Sequence, residues 1–116
     1  MEWLETLKKA IDFMEEHLLE DISAQDVAQE IYMSSFYFQK GFKLITGYTV
    51  GEYIRNRRLY LAALDMSKKE VRVIDLANKY GYDTPERFTK AFTRFHGASH
   101  MQIRERVDKI KAFYPL

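Results

Sequence analysis

The sequence predicts an all-α fold, and three observations carry that prediction. Apolar residues recur at intervals of three and four wherever their pattern is clear. Only five glycines and two prolines interrupt 116 residues, and no segment alternates with period two for long enough to make a strand. Hydrophobic residues form 47% of the chain, enough to close a core, and the 30% that are charged can cover it. The length fits one compact domain or two very small ones.

The elements follow in chain order. Leu4, Leu7, Ile11, Met14 and Leu18 make one stripe, with Glu5, Lys8, Asp12, Glu15 and Glu16 between them, so an amphipathic helix opens the chain. Ser23 and Asp26 have the form of a capping box and start a shorter helix through Val27, Ala28 and Ile31. Ser34 or Ser35 caps a third helix, in which Phe38, Phe42 and Ile45 face the core. Gly47 then supplies its left-handed stop. Thr49 with Glu52 opens a long helix to Met66 that turns Tyr53, Ile54, Leu61 and Met66 toward the bundle. Val73, Ile74, Ala77 and Tyr80 form the apolar face of a fifth helix, and Gly81 makes the turn after it. Thr84-Pro85 is an N-cap followed by proline at the first helical position of a sixth helix, with Phe88, Phe92 and Phe95 pointing inward. Gly97 stops it, and Ser99 with Gln102 caps another helix.

The most informative feature is a repeat at an offset of fifty residues. Phe38-x-Lys40-x-Phe42, then Gly47, is matched by Phe88-x-Lys90-x-Phe92, then Gly97. The caps that follow, Thr49/Glu52 and Ser99/Gln102, agree as well. Upstream, Val27-Ala28 answers Leu76-Ala77 with one residue inserted. The chain thus divides into a first subdomain at 1–48, a linker helix at 49–66, and a second subdomain with the tail at 67–116.

A short helix, a tight turn and a second helix form a helix-turn-helix, whose second helix can lie in a DNA major groove. One copy is also a common structural corner, but two copies on one chain favour DNA. The net charge of +1 conceals a division that agrees. Residues 1–33 carry two bases against nine acids, while residues 34–116 carry sixteen bases against eight acids. The phenylalanine pairs are core and receive no DNA role. Phe36, Gln39, Lys40 and Lys43 can face out of the first copy, and Glu86, Arg87, Thr89, Lys90, Thr93 and Arg94 are left for the other faces of the second. Lys and Arg reach phosphates or guanine acceptors, and Gln can pair with adenine. Glu86 either favours the helix dipole or accepts from cytosine. Lys43 and Arg94 are phosphate contacts or plain surface. Arg55, Arg57 and Arg58 form a dense basic patch that touches the DNA backbone or pairs with the acidic first helix; the sequence leaves both open.

These residues resemble the DNA-binding domain of the AraC/XylS family of bacterial transcription regulators over residues 3–106. The resemblance rests on Gly81-Tyr82, then Phe88-x-Lys90-x-Phe92-x-x-Phe95-x-Gly97. Phe38-Gln39-Lys40-x-Phe42-Lys43 with Gly47, and Tyr53-Ile54-Arg55-x-Arg57-Arg58, support it. It implies about seven helices and two helix-turn-helix subdomains joined by the long helix. It also implies a monomer whose two recognition helices enter successive major grooves, and an activator that touches RNA polymerase. Carried over by position, base reading falls on Phe36, Tyr37, Gln39 and Lys40, and on Pro85, Glu86, Arg87, Thr89 and Lys90. Pro85 lacks a backbone donor, so its position reads by apolar contact or not at all. Backbone contacts are assigned to Ser35, Lys43, Arg55, Thr84 and Arg94.

Two departures from the family pattern stand out. Tyr32 occupies the first turn where glycine often stands, which predicts a less tight or differently angled turn. Gly41 lies inside the first recognition helix, where it either admits close helix packing or leaves that helix frayed until DNA orders it. The opening Met1–Glu5 resembles family members whose DNA module comes first. The expectation is therefore the N-terminal part of a longer regulator, with any effector bound only by a domain absent from this chain; a stand-alone regulator is the alternative.

Other classes have little support. Cysteine is absent, which excludes a disulfide scaffold and a cysteine nucleophile. His17, His96 and His100 share no metal-ligand spacing, so no metal, cofactor or enzyme chemistry is expected. His96 precedes a glycine stop, where a helix end favours a cation. The longest apolar run, Leu59 to Leu64, is too short for a membrane span, and the acidic start is no signal peptide, so a cytoplasmic protein is expected. The rival reading is a helical protein–protein module without DNA binding.

Overall fold

A computed structural model describes residues 2–68 and 70–116. Among the described residues the chain forms seven α-helices and no strand. They are α1 (Trp3–Glu16), α2 (Ala24–Glu30), α3 (Ser35–Thr46), α4 (Val50–Lys68), α5 (Val73–Lys79), α6 (Pro85–His96) and α7 (His100–Glu105), followed by a 3₁₀ turn at Val107–Lys109. Two compact units result: one of residues up to Arg55 with Pro115–Leu116, the other Asn56–Tyr114. The boundary falls inside α4. No described helix is long and apolar enough to cross a membrane.

In the first unit, Glu2 caps α1 by accepting from the Leu4 N–H at 2.8 Å. Ser23 and Asp26 exchange both bonds of a capping box on α2. Ala10, Ile11, Met14 and Leu18 are buried, as are Val27, Ala28, Ile31, Phe38, Phe42, Val50 and Tyr53, and α2 packs on both α1 and α3. The Phe42 and Tyr53 rings meet edge-on at 5.9 Å, and the Tyr53 hydroxyl donates to Glu15 at 2.9 Å, so the buried phenol keeps a partner.

Two stripe assignments change here. Leu4 is 71% exposed, because the buried stripe of α1 runs through Thr6, Ala10 and Met14. Ile45 is exposed rather than in the core. From Phe42 a step of four reaches half-buried Thr46, whose hydroxyl bonds back to the Phe42 carbonyl at 2.8 Å, and a step of three points Ile45 outward. Gly41 resolves in favour of close packing: a Cβ there would lie 2.3 Å from Cη2 of the Trp3 indole.

In the second unit, Leu59, Ala62, Ala63 and Met66 of α4 pack with Leu76, Ala77, Tyr80, Phe88, Phe92, Ala98 and Ile103. Asp65 accepts from the Tyr80 hydroxyl at 2.5 Å and from Lys79 Nζ at 2.7 Å, tying α5 to α4. Burial, aided by that carboxylate, pushes the Tyr80 phenol far above its ordinary range. Ile74, expected on the apolar face of α5, is instead exposed, and Leu76 takes its place in the core.

Two polar residues are buried against expectation. Arg57 is 6% exposed and donates to the Phe113 carbonyl at 2.6 Å, so it is no part of an open basic patch. His96 is 8% exposed, with Nε2 3.0 Å from the Leu59 carbonyl. Burial, and secondarily the charge of Lys111, lower its pKa against the raising effect of that hydrogen bond; this is a neutral imidazole, not a helix-end cation.

Candidate nucleic-acid interface

Each unit carries a short helix, a tight turn and a twelve-residue helix. The two turns close in the same way. Met33 N–H donates to the Ala28 carbonyl at 2.9 Å in the first, and Tyr82 N–H to the Ala77 carbonyl at 2.8 Å in the second. Gly81 takes φ +83° and Tyr32 takes φ +57°. The expected loosening at Tyr32 is therefore absent. The tyrosine adopts the left-handed conformation itself, with its side chain 93% exposed, and bears a strain of about 1–2 kcal/mol.

The second helix of each pair begins on an oxygen cap. Ser34, not Ser35, caps α3 by accepting from the Tyr37 N–H at 3.1 Å. Ser35 is half-buried and accepts from the Gln39 amide at 2.9 Å. Thr84, half-buried, caps α6 by accepting from the Arg87 N–H at 3.1 Å, and Pro85 occupies the first turn.

These caps leave one polar and aromatic face of each helix in solvent. On α3, Phe36 and Tyr37 are 70% and 66% exposed and meet edge-on at 5.8 Å. Lys40 Nζ lies 5.9 Å from the Phe36 ring centroid, and Gln39 is exposed alongside. On α6, Glu86, Arg87 and Lys90 are exposed and Thr89 is half-buried. Arg87 pairs with Asp83 at 3.3 Å, both largely in water, so the pair contributes little and its guanidinium can exchange partners.

The residues assigned to phosphate lie in more varied settings. Arg55 and Arg94 are exposed. Lys43 donates to the Gly47 carbonyl at 3.0 Å, closing the end of α3, and stands 3.9 Å from Glu52. The Thr49 N–H holds the Glu52 carboxyl below the usual carboxylate range, with Lys43 and Arg55 adding to the effect. One exposed side chain had no role assigned from the sequence: Leu44, 76% exposed where the repeat places Arg94. The fifty-residue offset was the signal for Leu44. Among the described residues no cluster of His, Asp or Glu is arranged to hold a metal ion.

Two oxygen-capped helices, each preceded by a short helix and a left-handed turn, define a double helix-turn-helix module. Comparison with known proteins identifies it further. Residues 27–106 match the family model described as a helix-turn-helix domain. The regulatory protein SoxS of Salmonella typhimurium is 32% identical over 101 residues, spanning 87% of this chain and 94% of that protein. The HTH-type transcriptional activator AarP of Providencia stuartii is 33% identical over 93 residues, spanning 80% of this chain and 69% of that protein. In fold, the chain is similar to a transcriptional regulator of the AraC-type DNA-binding class from Chromobacterium violaceum. Their TM-score is 0.84 over 89% of this chain and 92% of that one, at 18% identity. The chain belongs to the AraC/XylS family of helix-turn-helix transcription regulators.

Proposed function

We propose that this chain binds double-stranded promoter DNA sequence-specifically, with α3 and α6 each laid in a major groove and the two grooves successive. The observation that carries the reading is the repeated unit. Two capped twelve-residue helices stand fifty residues apart, each exposing side chains able to contact bases. Phe36, Tyr37, Gln39 and Lys40 read one half-site, and Glu86, Arg87, Thr89 and Lys90 the other. Ser35, Lys43, Arg55, Thr84 and Arg94 approach phosphates. A caps-and-backbone role fits Ser35 and Thr84, whose hydroxyls already lie at helix N-termini, where backbone N–H groups favour an anion.

The family membership supports an activator that touches RNA polymerase and works in the cytoplasm beside the chromosome. As a bacterial transcription regulator the chain has no enzymatic role.

Selection of bound duplexes from random DNA, followed by footprinting, tests the proposal. The protected site should span about two helical turns, with half-sites about 34 Å apart. Affinity should fall steeply with salt as phosphate contacts release counterions. A footprint confined to one turn would leave only one unit engaged, and no duplex binding at any salt would favour a helical protein–protein module instead.

A further inference from the structure

The segment that follows the 3₁₀ turn has no helix, yet it is fastened residue by residue within the second unit. Lys111 N–H donates to His96 Nδ1 at 3.0 Å, and Lys111 Nζ lies 5.0 Å from the Phe95 ring centroid. Phe113 is buried, with its ring 6.2 Å from Phe95 and its carbonyl accepting from Arg57 Nη1 at 2.6 Å. The Tyr114 ring meets Tyr60 edge-on at 5.5 Å. Ile110 packs against the core of the unit. Residues 110–114 thus bridge α4, through Arg57 and Tyr60, to α6, through Phe95 and His96.

His96 is the centre of this bridge. It is the last residue of α6, and its two ring nitrogens face in opposite chemical senses. Nδ1 accepts from the Lys111 N–H, so Nε2 carries the proton and donates to the Leu59 carbonyl of α4. One neutral tautomer satisfies both.

The internal repeat shows what this arrangement replaces. Fifty residues earlier stands Thr46, at the same last position of α3. Its hydroxyl finds partners nearby, donating toward the Phe42 and Tyr48 carbonyls at 2.8 and 3.2 Å and accepting from the Tyr48 N–H at 3.1 Å. The end of α3 is closed by its own turn. The backbone of α6 stops on Gly97 just as α3 stops on Gly47, but its last side chain finds a partner in a segment lying fourteen to eighteen residues further on.

We propose that residues 110–114 are a strap that holds the C-terminal end of α6 on α4, with His96 as its positioning residue, so that releasing the strap weakens DNA contact by the second unit and not by the first. The inference rests on the DNA reading above. A helix of this length spans about 18 Å, so tilting one end displaces the side chains at the other, where Glu86, Arg87 and Lys90 stand.

The test uses the full chain carrying Lys111→Pro, which removes the N–H that reaches His96, beside Lys111→Ala, which keeps that N–H and removes the side chain that lies over Phe95. Amide exchange over residues 93–97 should quicken about tenfold in Lys111→Pro, the scale of one buried acceptor left unmet, while α5 keeps its native rate. On a selected duplex, Lys111→Pro should lose protection at the half-site assigned to α6 by Lys90→Ala, keep it at the other, and bind about tenfold more weakly. Lys111→Ala loses only an exposed contact with the Phe95 ring and should change either measurement by less than about threefold.

The proposal is overturned if Lys111→Pro leaves α6 exchange and half-site protection unchanged, if α5 and α6 quicken together, or if Lys111→Ala has the same effect as Lys111→Pro. Should the native chain show no footprint, the DNA reading fails, and the exchange rates of α6 still decide whether the strap holds it.

Discussion

Replacing Gly41 by alanine sets helix propensity against packing, and the structure says which wins. Alanine in a helix interior is favoured over glycine by about 1 kcal/mol. At this position the added Cβ would stand 2.3, 2.7 and 2.9 Å from three atoms of the Trp3 ring. No rigid indole accepts contacts that short, so the ring must leave α3. A buried tryptophan covers about 150–250 Å², and Trp3 is half-buried, so expulsion exposes about 100 Å². At about 25 cal/mol per Å² this costs about 2.5 kcal/mol. The net is a loss of about 1.5 kcal/mol, or about 6–12 °C in the melting temperature of a unit this small. Trp3 is the single tryptophan, so its emission should shift red as the far-ultraviolet melt moves down. On a Trp3→Ala background the same change should reverse sign and stabilise by up to about 1 kcal/mol. A Gly41→Ala chain that melts higher than the native one would refute the reasoning.

Further outcomes can be measured in parallel. Tyr32→Gly relieves a left-handed non-glycine residue and should raise stability, seen as a higher melting temperature, by up to about 1 kcal/mol after the extra freedom of the unfolded glycine is counted; Gly81→Ala should lower stability by about 1–2 kcal/mol. Stability should fall with acidity. Burial depresses the pKa of His96 and, together with Arg104, that of His100, so the folded chain holds these rings neutral while the unfolded chain takes protons near 6.5. Their contribution is complete above that value and lost as the pH falls from it through the lower folded values. Melts in that window should show the loss in the native chain and less of it in His96→Gln. For DNA, Lys90→Ala or Arg87→Ala should cost about 1–3 kcal/mol and relax preference at one base position, whereas Arg94→Ala should weaken all duplexes alike and lower the salt slope by about one. Competition binding against single-base variants separates the two patterns.

Local chemistry was legible in the sequence, and distant contacts were not. Ser23 with Asp26, Ser99 with Gln102, Gly47 and Gly97 each cap or stop a helix as their residue types require, because a cap is decided within four residues. The repeat located α3 and α6 with equal length for the same reason. Misplaced residues fell on stripe edges. Leu4, Ile45 and Ile74 each satisfy a three-or-four spacing, but a spacing cannot say which of two adjacent positions faces the neighbouring helix. Arg57 and His96 read as surface charges because their partners, Phe113 and Lys111, lie 56 and 15 residues away. On the candidate DNA-contacting faces, the outward position of Phe36, Gln39, Lys40, Arg87 and Lys90 was legible, whereas Tyr37 entered only through the family resemblance. That Ser35 would engage Gln39, and Lys43 the Gly47 carbonyl, depended on which rotamer each side chain adopted.

The fifty-residue repeat duplicates a scaffold without duplicating what it shows to solvent. Position for position, Phe36 and Tyr37 on α3 stand where Glu86 and Arg87 stand on α6, and Leu44 where Arg94 does. A symmetric dimer of identical subunits reads a palindrome and is indifferent to which way round its site lies. One chain with two unlike readers is not. On the DNA reading its site has a polarity, so inverting the site relative to a promoter turns the bound protein end for end and presents a different surface to whatever binds alongside. Orientation becomes part of the regulatory signal.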